Sequence, residues 1–233
     1  MTISAQLQQV RQAIAQAAQQ AGRDPEAVSL LAVSKTFGPD AVIEAAEAGQ
    51  RAFGENYLQE ATAKIEAVQT QRPDLKLEWH FIGPLQSNKT RPVAEHFDWV
   101  HSVDRAKIAQ RLSDQRPQGL PPLNLCLQVN VSGEDSKSGV APEDVITLAR
   151  EVAGLPNIKL RGLMAIPEPA EDFDSQRKPF AILKELQRQL RDAGMDTDTL
   201  SMGMSADMAA AIAEGATIVR IGTAIFGKRD YAK

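Results

Sequence analysis

A lysine stands at the end of the first apolar run that predicts a strand, in Ser29-Leu30-Leu31-Ala32-Val33-Ser34-Lys35. Runs of this composition are buried on both faces in parallel sheets, so we expect the Lys35 amine at a rigid strand end beside apolar groups. Burial disfavours the charged form of a lysine, and a neutral amine attacks an aldehyde to form a Schiff base. The alternative interpretation is a lysine that leaves the sheet into solvent.

Two glycine-containing segments predict an anion site. They are Met202-Gly203-Met204-Ser205-Ala206-Asp207 and Arg220-Ile221-Gly222-Thr223-Ala224. Both follow predicted strands at positions where a (β/α)₈ barrel often binds phosphate, because glycine lets backbone N–H groups approach an anion and hydroxyls add donors. The alternatives are that Ser205 only caps a helix and that Gly222 only makes a turn. An amine together with a phosphate cradle suits an aldehyde that carries a phosphate.

Arg220 lies inside the apolar eighth strand, where a buried guanidinium needs a partner. One interpretation pairs it with a barrel carboxylate such as Glu55. The other points it at a ring nitrogen. Arginine offers only donors and stays protonated, so it would keep a pyridine nitrogen unprotonated and weaken the ring as an electron sink. That choice suits holding a cofactor more than carbanion chemistry.

Other polar residues, and one methionine, fall at predicted strand ends, where a barrel builds its site; they are Glu55, Asn56, His80, Ser102, Asp104, Asn130, Met164 and Ser201. His80 lies in an aromatic stretch and, taken alone, reads as a hydrogen-bonded core histidine. The three histidines lack metal-ligand spacing, so we predict no metal site. No Ser-His-Asp arrangement has support in the sequence.

The elements that must position these residues alternate regularly. Apolar runs predict eight strands, at 29–35, 52–56, 78–83, 98–103, 123–131, 160–165, 199–204 and 217–222. Helical spacing of apolar residues predicts helices at 3–20, 39–48, 57–70, 88–94, 104–115, 142–153, 174–193 and 206–214. The pattern favours a single-domain (β/α)₈ TIM barrel over residues 1–233, with a doubly wound open sheet as the rival. We expect helix 3–20 to bury its apolar stripe on the barrel.

Composition narrows the class of protein. The chain has 233 residues, 43% hydrophobic and 24% charged, as is usual for a globular protein. Its net charge of -4 argues against nucleic-acid binding, which needs a basic face. Neither a secretory signal nor a membrane span is predicted, and the single cysteine, Cys126, cannot form an intrachain disulfide. We expect a cytoplasmic protein.

Several long motifs resemble one family in order and spacing. They are Ala32-Val33-Ser34-Lys35-Thr36, Phe53-Gly54-Glu55-Asn56-Tyr57-Leu58-Gln59-Glu60, Trp79-His80-Phe81-Ile82-Gly83-Pro84-Leu85-Gln86-Ser87-Asn88-Lys89, Gly162-Leu163-Met164-Ala165-Ile166, Ser201-Met202-Gly203-Met204-Ser205 and Arg220-Ile221-Gly222-Thr223-Ala224-Ile225-Phe226-Gly227. Together they are similar to the pyridoxal phosphate homeostasis proteins, the YggS/PROSC family, from about residue 7 to Gly227.

The resemblance implies a barrel like the N-terminal domain of bacterial alanine racemase, with pyridoxal 5′-phosphate (PLP) joined to Lys35 as an internal aldimine. By position, it assigns the pyridine nitrogen to Arg220 and the phosphate to Ser201, Ser205, Gly222 and Thr223. It assigns the surroundings of the ring to Asn56, His80 and Met164. This chain departs from the family at Phe37, where a lysine is frequent, and Lys137 matches a family position as a second amine or a loop ion-pair partner.

Three functions stay open at this stage: a PLP carrier without turnover, a PLP-dependent racemase or decarboxylase of amino acids, and a Schiff-base aldolase. Racemisation needs two bases on opposite faces of the substrate, and racemases of the similar fold supply the second as a tyrosine from an extra β domain of the partner subunit. The sequence ends soon after Gly227 and its only tyrosines are Tyr57 and Tyr231. We therefore expect a carrier that buffers, stores or delivers PLP, with apo-PLP enzymes as recipients. Because helix 3–20 is expected to bury its apolar stripe on the barrel and not on a partner, we also expect a monomer.

Overall fold

Eight parallel strands close into a barrel in the computed structural model, which describes residues 2–133 and 138–227. In chain order they are β1 (Ser29–Val33), β2 (Ala52–Glu55), β3 (Glu78–Phe81), β4 (Trp99–Val103), β5 (Leu123–Gln128), β6 (Ile158–Met164), β7 (Thr199–Ser201) and β8 (Ile218–Ile221). Each strand pairs with the next, and β8 pairs with β1, so the sheet has no free edge. The predicted (β/α)₈ barrel is confirmed, and the open sheet is wrong.

Helices cover the outside of the barrel. They are α1 (Ile3–Gln20), α2 (Pro39–Glu47), α3 (Leu58–Gln71), α4 (Thr90–His96), α5 (Ala106–Gln115), α6 (Val145–Ala153), α7 (Phe173–Asp192), α8 (Met208–Ala213) and α9 (Thr223–Phe226). Short 3₁₀ turns occupy Pro25–Ala27, Ser87–Lys89 and Pro142–Asp144. Within the described ranges, no helix is long and apolar enough to cross a membrane.

The first helix precedes the barrel and packs onto it, as its apolar spacing predicts. Its N-terminus is capped by Thr2, whose side chain accepts a hydrogen bond from the Ala5 N–H. Leu7, Val10 and Ile14 are buried on one face, and this face lies against α2, α8 and α9. The stripe is therefore covered by the chain itself.

Several strands end earlier than the apolar runs predict. β1 ends at Val33, which leaves Lys35 in the turn that follows, and β7 ends at Ser201. Met202, for example, is fully buried in the main apolar core although it lies one residue beyond the end of β7. Residues that follow a barrel strand can be as buried as the strand itself, so their apolar character reports burial and does not mark where the strand ends.

Two helix starts also differ from the prediction. Asp207, and not Ser205, occupies the N-cap position of α8. Its carboxylate accepts a hydrogen bond from the Met204 N–H at 2.7 Å, so it closes the preceding loop. The four-residue helix α9 directly follows Gly222 and was not predicted, because so short a segment carries no apolar periodicity.

An apolar cluster fills part of the barrel interior. Its buried members come from five strands and the turn after β3, namely Leu31, Val33, Ile82, Trp99, Cys126, Met164 and Ile218. Side chains from so many strands meet only inside the barrel. Val33 and Ile82 form the top of this cluster, and the candidate site lies above them.

Candidate functional site

A cavity of about 310 Å³ opens at the carboxyl ends of the strands. Six of the residues predicted to bind a cofactor line it: Lys35, Asn56, Ser205, Arg220, Gly222 and Thr223. Val33 and Ile82 provide an apolar floor. The structure therefore brings together an amine, a guanidinium and two hydroxyls that are far apart in sequence.

The turn that carries Lys35 is held by its two neighbours. The Ser34 hydroxyl donates to Glu55 Oε1 at 2.5 Å, and the Thr36 N–H donates to Glu60 Oε1 at 2.6 Å. Thr36 adopts φ of 70°, in the left-handed region that costs a β-branched residue energy. Such a conformation persists only where surrounding contacts impose it, so this turn is a built feature of the site.

Lys64, on α3, ties these contacts together. Its ammonium donates to Ser34 O at 2.8 Å, Glu55 Oε1 at 2.7 Å and Glu60 Oε1 at 2.9 Å. Lys64 and Glu55 are both buried. Burial raises the pKa of the Glu55 carboxyl, and the Lys64 charge and hydrogen bond oppose that shift. We call Lys64, Glu55 and Glu60 the lysine-turn clamp.

The clamp was missed by sequence reasoning, although one signal was available. Lys64 falls among the buried positions of α3, beside Ala61, Ile65 and Val68. A lysine on the apolar face of a helix needs a buried anion, and Glu55 supplies it. The predicted alternative of an Arg220–Glu55 pair is therefore wrong, since Glu55 bonds to Lys64 and Ser34.

Arg220, on β8, is buried and reaches the cavity from below. Its Nη1–H donates to Ser201 Oγ at 2.8 Å, and its Nη2–H donates to Ala165 O at 3.0 Å. Burial lowers the pKa of the guanidinium to about 10, and the Asp207 charge opposes the shift. The group stays cationic at neutral pH and is fixed in direction by its two acceptors.

The loops after β7 and β8 form the opposite wall. Gly203 has φ of 97°, and a Cβ added there would lie 2.6 Å from Ala211 Cβ. A Cβ on Gly222 would lie 3.1 Å from Val33 O. Glycine is therefore required at the first position and lets the chain pass close to β1 at the second. The side chains of Ser205 and Thr223 are exposed to the cavity mouth.

Asn56 follows β2 and faces the same cavity. Its Oδ1 is buried without a hydrogen-bond partner among the described residues. A buried acceptor without a partner costs free energy. An occupant that donates a hydrogen bond there would remove this cost.

Three predicted site residues do not line the cavity. Met164 is fully buried in the cluster beneath it. Ser201 is fully buried and lies between Arg220 and His101. His80 lies deeper in the barrel and contacts His101 and Glu78. Interior side chains of one barrel occupy successive layers, and these three belong to layers below the mouth.

Two further positions fall where the structure gives no description. Lys137, the predicted secondary amine, and Tyr231 lie outside the described residues. In residues 2–133 and 138–227, no cluster of histidine, cysteine and carboxylate side chains has the arrangement of a metal site.

Comparison with known proteins identifies relatives along the whole chain. The family model described as "Alanine racemase, N-terminal domain" matches residues 5–230. A pyridoxal phosphate homeostasis protein of Pseudomonas aeruginosa is 65% identical over 230 residues, covering 99% of this chain and 97% of the relative. The Escherichia coli K12 protein of the same name is 55% identical over 236 residues, covering 99% and 98%.

Solved structures agree with this assignment. PipY of Synechococcus elongatus PCC7942, a COG0325 family member solved with PLP bound, is 38% identical and superposes with a TM-score of 0.83, covering 97% of this chain and 100% of PipY. Alanine racemase of Corynebacterium glutamicum, at 16% identity and a TM-score of 0.66, shares the fold over 94% of this chain and 61% of its own. The chain belongs to the pyridoxal phosphate homeostasis protein family, whose barrel is the alanine racemase N-terminal domain.

Proposed function

We propose that this chain binds PLP in the cavity at the carboxyl end of its barrel and acts in PLP homeostasis as a carrier. The observation that carries the proposal is the joint placement of Lys35, Arg220, Ser205 and Thr223 around one cavity. An amine, a fixed cation and a pair of hydroxyls match the aldehyde, the ring nitrogen and the phosphate of this cofactor. The cavity volume lies at the lower end of the range of about 300–1,000 Å³ typical of small-molecule sites.

The phosphate fits the loops after β7 and β8. Gly222 is the N-cap residue of α9 and Thr223 is its first residue, and Ser205 lies in the loop before α8, so the two hydroxyls belong to residues of one cavity wall. Because a Cβ at position 222 would lie 3.1 Å from Val33 O, glycine allows the backbone to run this close to β1. Ser201, assigned to the phosphate by position, bonds to Arg220 instead. We therefore restrict the proposed phosphate residues to Ser205, Gly222 and Thr223.

The ring fits the remaining walls. Val33 and Ile82 offer an apolar surface, and Asn56 Oδ1 offers an acceptor that lacks a partner among the described residues. Arg220 would face the ring nitrogen as a fixed donor. When bound, PLP supplies an electrophilic aldehyde, and the Lys35 amine is the group that we propose bonds to it. The lysine-turn clamp then has the task of holding that amine in place.

The relatives support the same function. Proteins named for pyridoxal phosphate homeostasis match almost the whole chain at more than half identity, and PipY was solved with PLP bound. We further propose that residues 1–233 act as one PLP-binding domain, as a monomer in the cytoplasm, and that apo-PLP enzymes are the recipients.

A carrier is favoured over an enzyme by the groups around the cavity. Of the side chains that line it in the described part of the chain, Lys35 is the one that carries an amine; the rest are apolar, amide, hydroxyl or guanidinium groups. Racemisation needs a second base on the opposite face of the substrate. Arg220 would face the ring nitrogen without giving it a proton, which would weaken the ring as an electron sink.

The phosphate assignment predicts a loss that depends on the ligand. We expect the double variant Ser205→Ala/Thr223→Ala to bind PLP at least about tenfold more weakly, because each hydrogen bond to a charged group contributes about 1.5–3 kcal/mol. Pyridoxal, which lacks the phosphate, should bind nearly as well as before. Titration of both ligands by absorbance measures the ratio.

The matched control is Ser4→Ala/Thr70→Ala, which also removes one serine and one threonine hydroxyl, but from exposed positions on α1 and α3. It should bind both ligands as the parent does. Equal losses for PLP and pyridoxal in the site variant would show that Ser205 and Thr223 have only a structural role.

The carrier assignment predicts transfer without turnover. We expect the PLP-loaded protein to pass its cofactor to an apo-PLP enzyme and to restore that enzyme's activity. Incubated with D- or L-amino acids in deuterium oxide, it should show no multi-turnover exchange of the Cα hydrogen, because the described residues that line the cavity offer no second base and Arg220 would leave the ring nitrogen unprotonated. Proton NMR follows the exchange. Sustained exchange that is lost in Lys35→Ala would replace the carrier with a racemase-like enzyme.

A further inference from the structure

A line of hydrogen bonds crosses the barrel interior from the cavity to the opposite end. Arg220 Nη1 bonds to Ser201 Oγ at 2.8 Å, and Ser201 Oγ lies 2.7 Å from His101 Nδ1. His101 Nε2 lies 2.8 Å from His80 Nδ1, and His80 Nε2 lies 2.7 Å from Glu78 Oε1. We call these five residues the polar relay.

The two ends of the relay fix the direction of every bond in it. Arg220 only donates, and an ionised Glu78 only accepts. Ser201 therefore accepts from Arg220 and donates to His101 Nδ1. This leaves the proton of each imidazole on Nε2, so that His101 donates to His80 and His80 donates to Glu78.

Burial favours the same arrangement. His80 and His101 are both buried, and desolvation lowers the pKa of each, with the His80 and Arg220 charges lowering that of His101 further. Both rings are therefore neutral at neutral pH. The bond from His80 lowers the pKa of Glu78, so the carboxyl stays ionised. Each of the four bonds of the relay then joins a donor to an acceptor.

The far end of the relay is open to solvent. Glu78 is half exposed and, with His80, lines a second cavity at the amino ends of the strands. Trp99 stacks on the His80 ring with centroids 5.2 Å apart, and Arg161 lies 4.5 Å from the centre of the Trp99 ring on this side. These contacts hold His80 in one orientation. The relay therefore links the two mouths of the barrel through rigid groups.

We propose that the polar relay positions Arg220, so that the charge of Glu78 at one mouth controls how the guanidinium is presented to PLP at the other. The proposal rests on the proposed function and assigns new positioning residues, His101, His80 and Glu78, that touch no ligand themselves. Removing the anion removes the reason for the direction of the bonds. A glutamine at position 78 also offers a donor to His80, and the relay then loses its single polarity.

Four ionisable groups of the described residues act on the relay from outside it. Asp98 acts on His80, Arg161 on Glu78, and Asp207 and Cys126 on Arg220. A pH titration of the relay therefore includes the charges of Asp98, Arg161 and Asp207, whereas burial raises the pKa of the Cys126 thiol to about 12 and keeps it neutral. Acid that protonates His101 would turn its Nδ1 from an acceptor into a donor and place a second cation near Arg220, which works against the bond from Ser201.

The decisive variant is Glu78→Gln, a change at a half-exposed residue at the opposite end of the barrel. We expect its dissociation constant for PLP to rise about three- to tenfold, in the range of coupling energies measured for remote residues, and the visible absorption of the bound cofactor to shift. Glu26→Gln is the control, since Glu26 is exposed in the turn before β1 and loses the same charge. Equal binding and equal spectra for the two variants would overturn the proposal.

A second readout needs no cofactor. In the ligand-free protein, nitrogen NMR of the imidazoles should show His80 and His101 neutral at neutral pH, each with its proton on Nε2. In Glu78→Gln, these tautomers should become mixed. A proton on His101 Nδ1 in the parent protein would contradict the proposed bond directions of the relay. A parent protein that fails to bind PLP would contradict the proposed function, and the NMR result would still decide the relay.

Discussion

Replacing Lys35 with alanine is expected to abolish the covalent attachment of PLP completely. Lys35 is the one amine that lines the cavity among the described residues, and its turn is fixed on both sides by the lysine-turn clamp. The parent protein should absorb near the visible edge when loaded with PLP. Lys35→Ala should lose that band. It should bind PLP only non-covalently and more weakly, through the proposed phosphate residues Ser205, Gly222 and Thr223.

Borohydride reduction gives the position of the bond. After reduction and proteolysis of the parent, the PLP-bearing peptide should contain Lys35. The control is Lys159→Ala, which removes an exposed lysine from β6 at the other end of the barrel and should leave the band unchanged. An adduct found chiefly on Lys137 would contradict the assignment.

The order of the strands and helices was predictable because strands of a parallel barrel are buried on both faces and therefore appear in the sequence as apolar runs. All eight strands and the helices α1 to α8 fall where the runs and the helical spacing place them. The strand ends were not predictable, since Met202 is as buried as a strand residue while lying outside β7. Sequence patterns report burial directly and hydrogen-bonded pairing only through it.

The position of a candidate site residue was predictable where it follows from the residue's own place at a strand end. It was not predictable where it depends on contacts between side chains of several strands. Lys35, Asn56, Arg220, Ser205 and Thr223 were found from their places at strand ends. The depth of a side chain inside the barrel depends on the register of neighbouring strands, as in the pairing of His80 with Gly54 and Trp99. The register between strands cannot be inferred from the sequence of one strand at a time. The polar relay and the buried position of Ser201 were therefore not predicted.

The largest stability effect is expected at Lys64, at the centre of the lysine-turn clamp. Lys64→Met should lower the free energy of unfolding by about 3–5 kcal/mol, the usual cost of leaving one member of a buried ion pair alone. Glu55 Oε2 is already buried without a hydrogen-bond partner among the described residues, so the carboxylate would keep only the Ser34 hydroxyl. Lys184→Met is the control, because Lys184 is exposed and 3.9 Å from Glu214; it should cost less than about 1 kcal/mol.

The pH dependence separates a stranded charge from a packing defect. Burial raises the pKa of Glu55, and removal of Lys64 takes away the largest effect that opposes the shift. A carboxyl with a raised folded-state pKa binds more protons in the native state than in the unfolded state. The free energy of unfolding of the protein therefore falls as the pH rises from the unfolded-state pKa to the folded-state pKa. The loss in Lys64→Met should therefore be smaller at mildly acid pH than at mildly basic pH, as measured by denaturant unfolding.

A double variant separates the effect of the clamp on stability from its effect on Lys35. In Glu55→Gln/Lys64→Met the charge is gone, and most of the stability should return, with little pH dependence. The turn that carries Lys35 would still lack the ammonium bond to Ser34 O and the Glu60 contact that Lys64 maintains. We expect this variant to fold well and yet to attach PLP more slowly than the parent, because the amine is no longer held. Unchanged attachment in this variant would show that the clamp does not position Lys35.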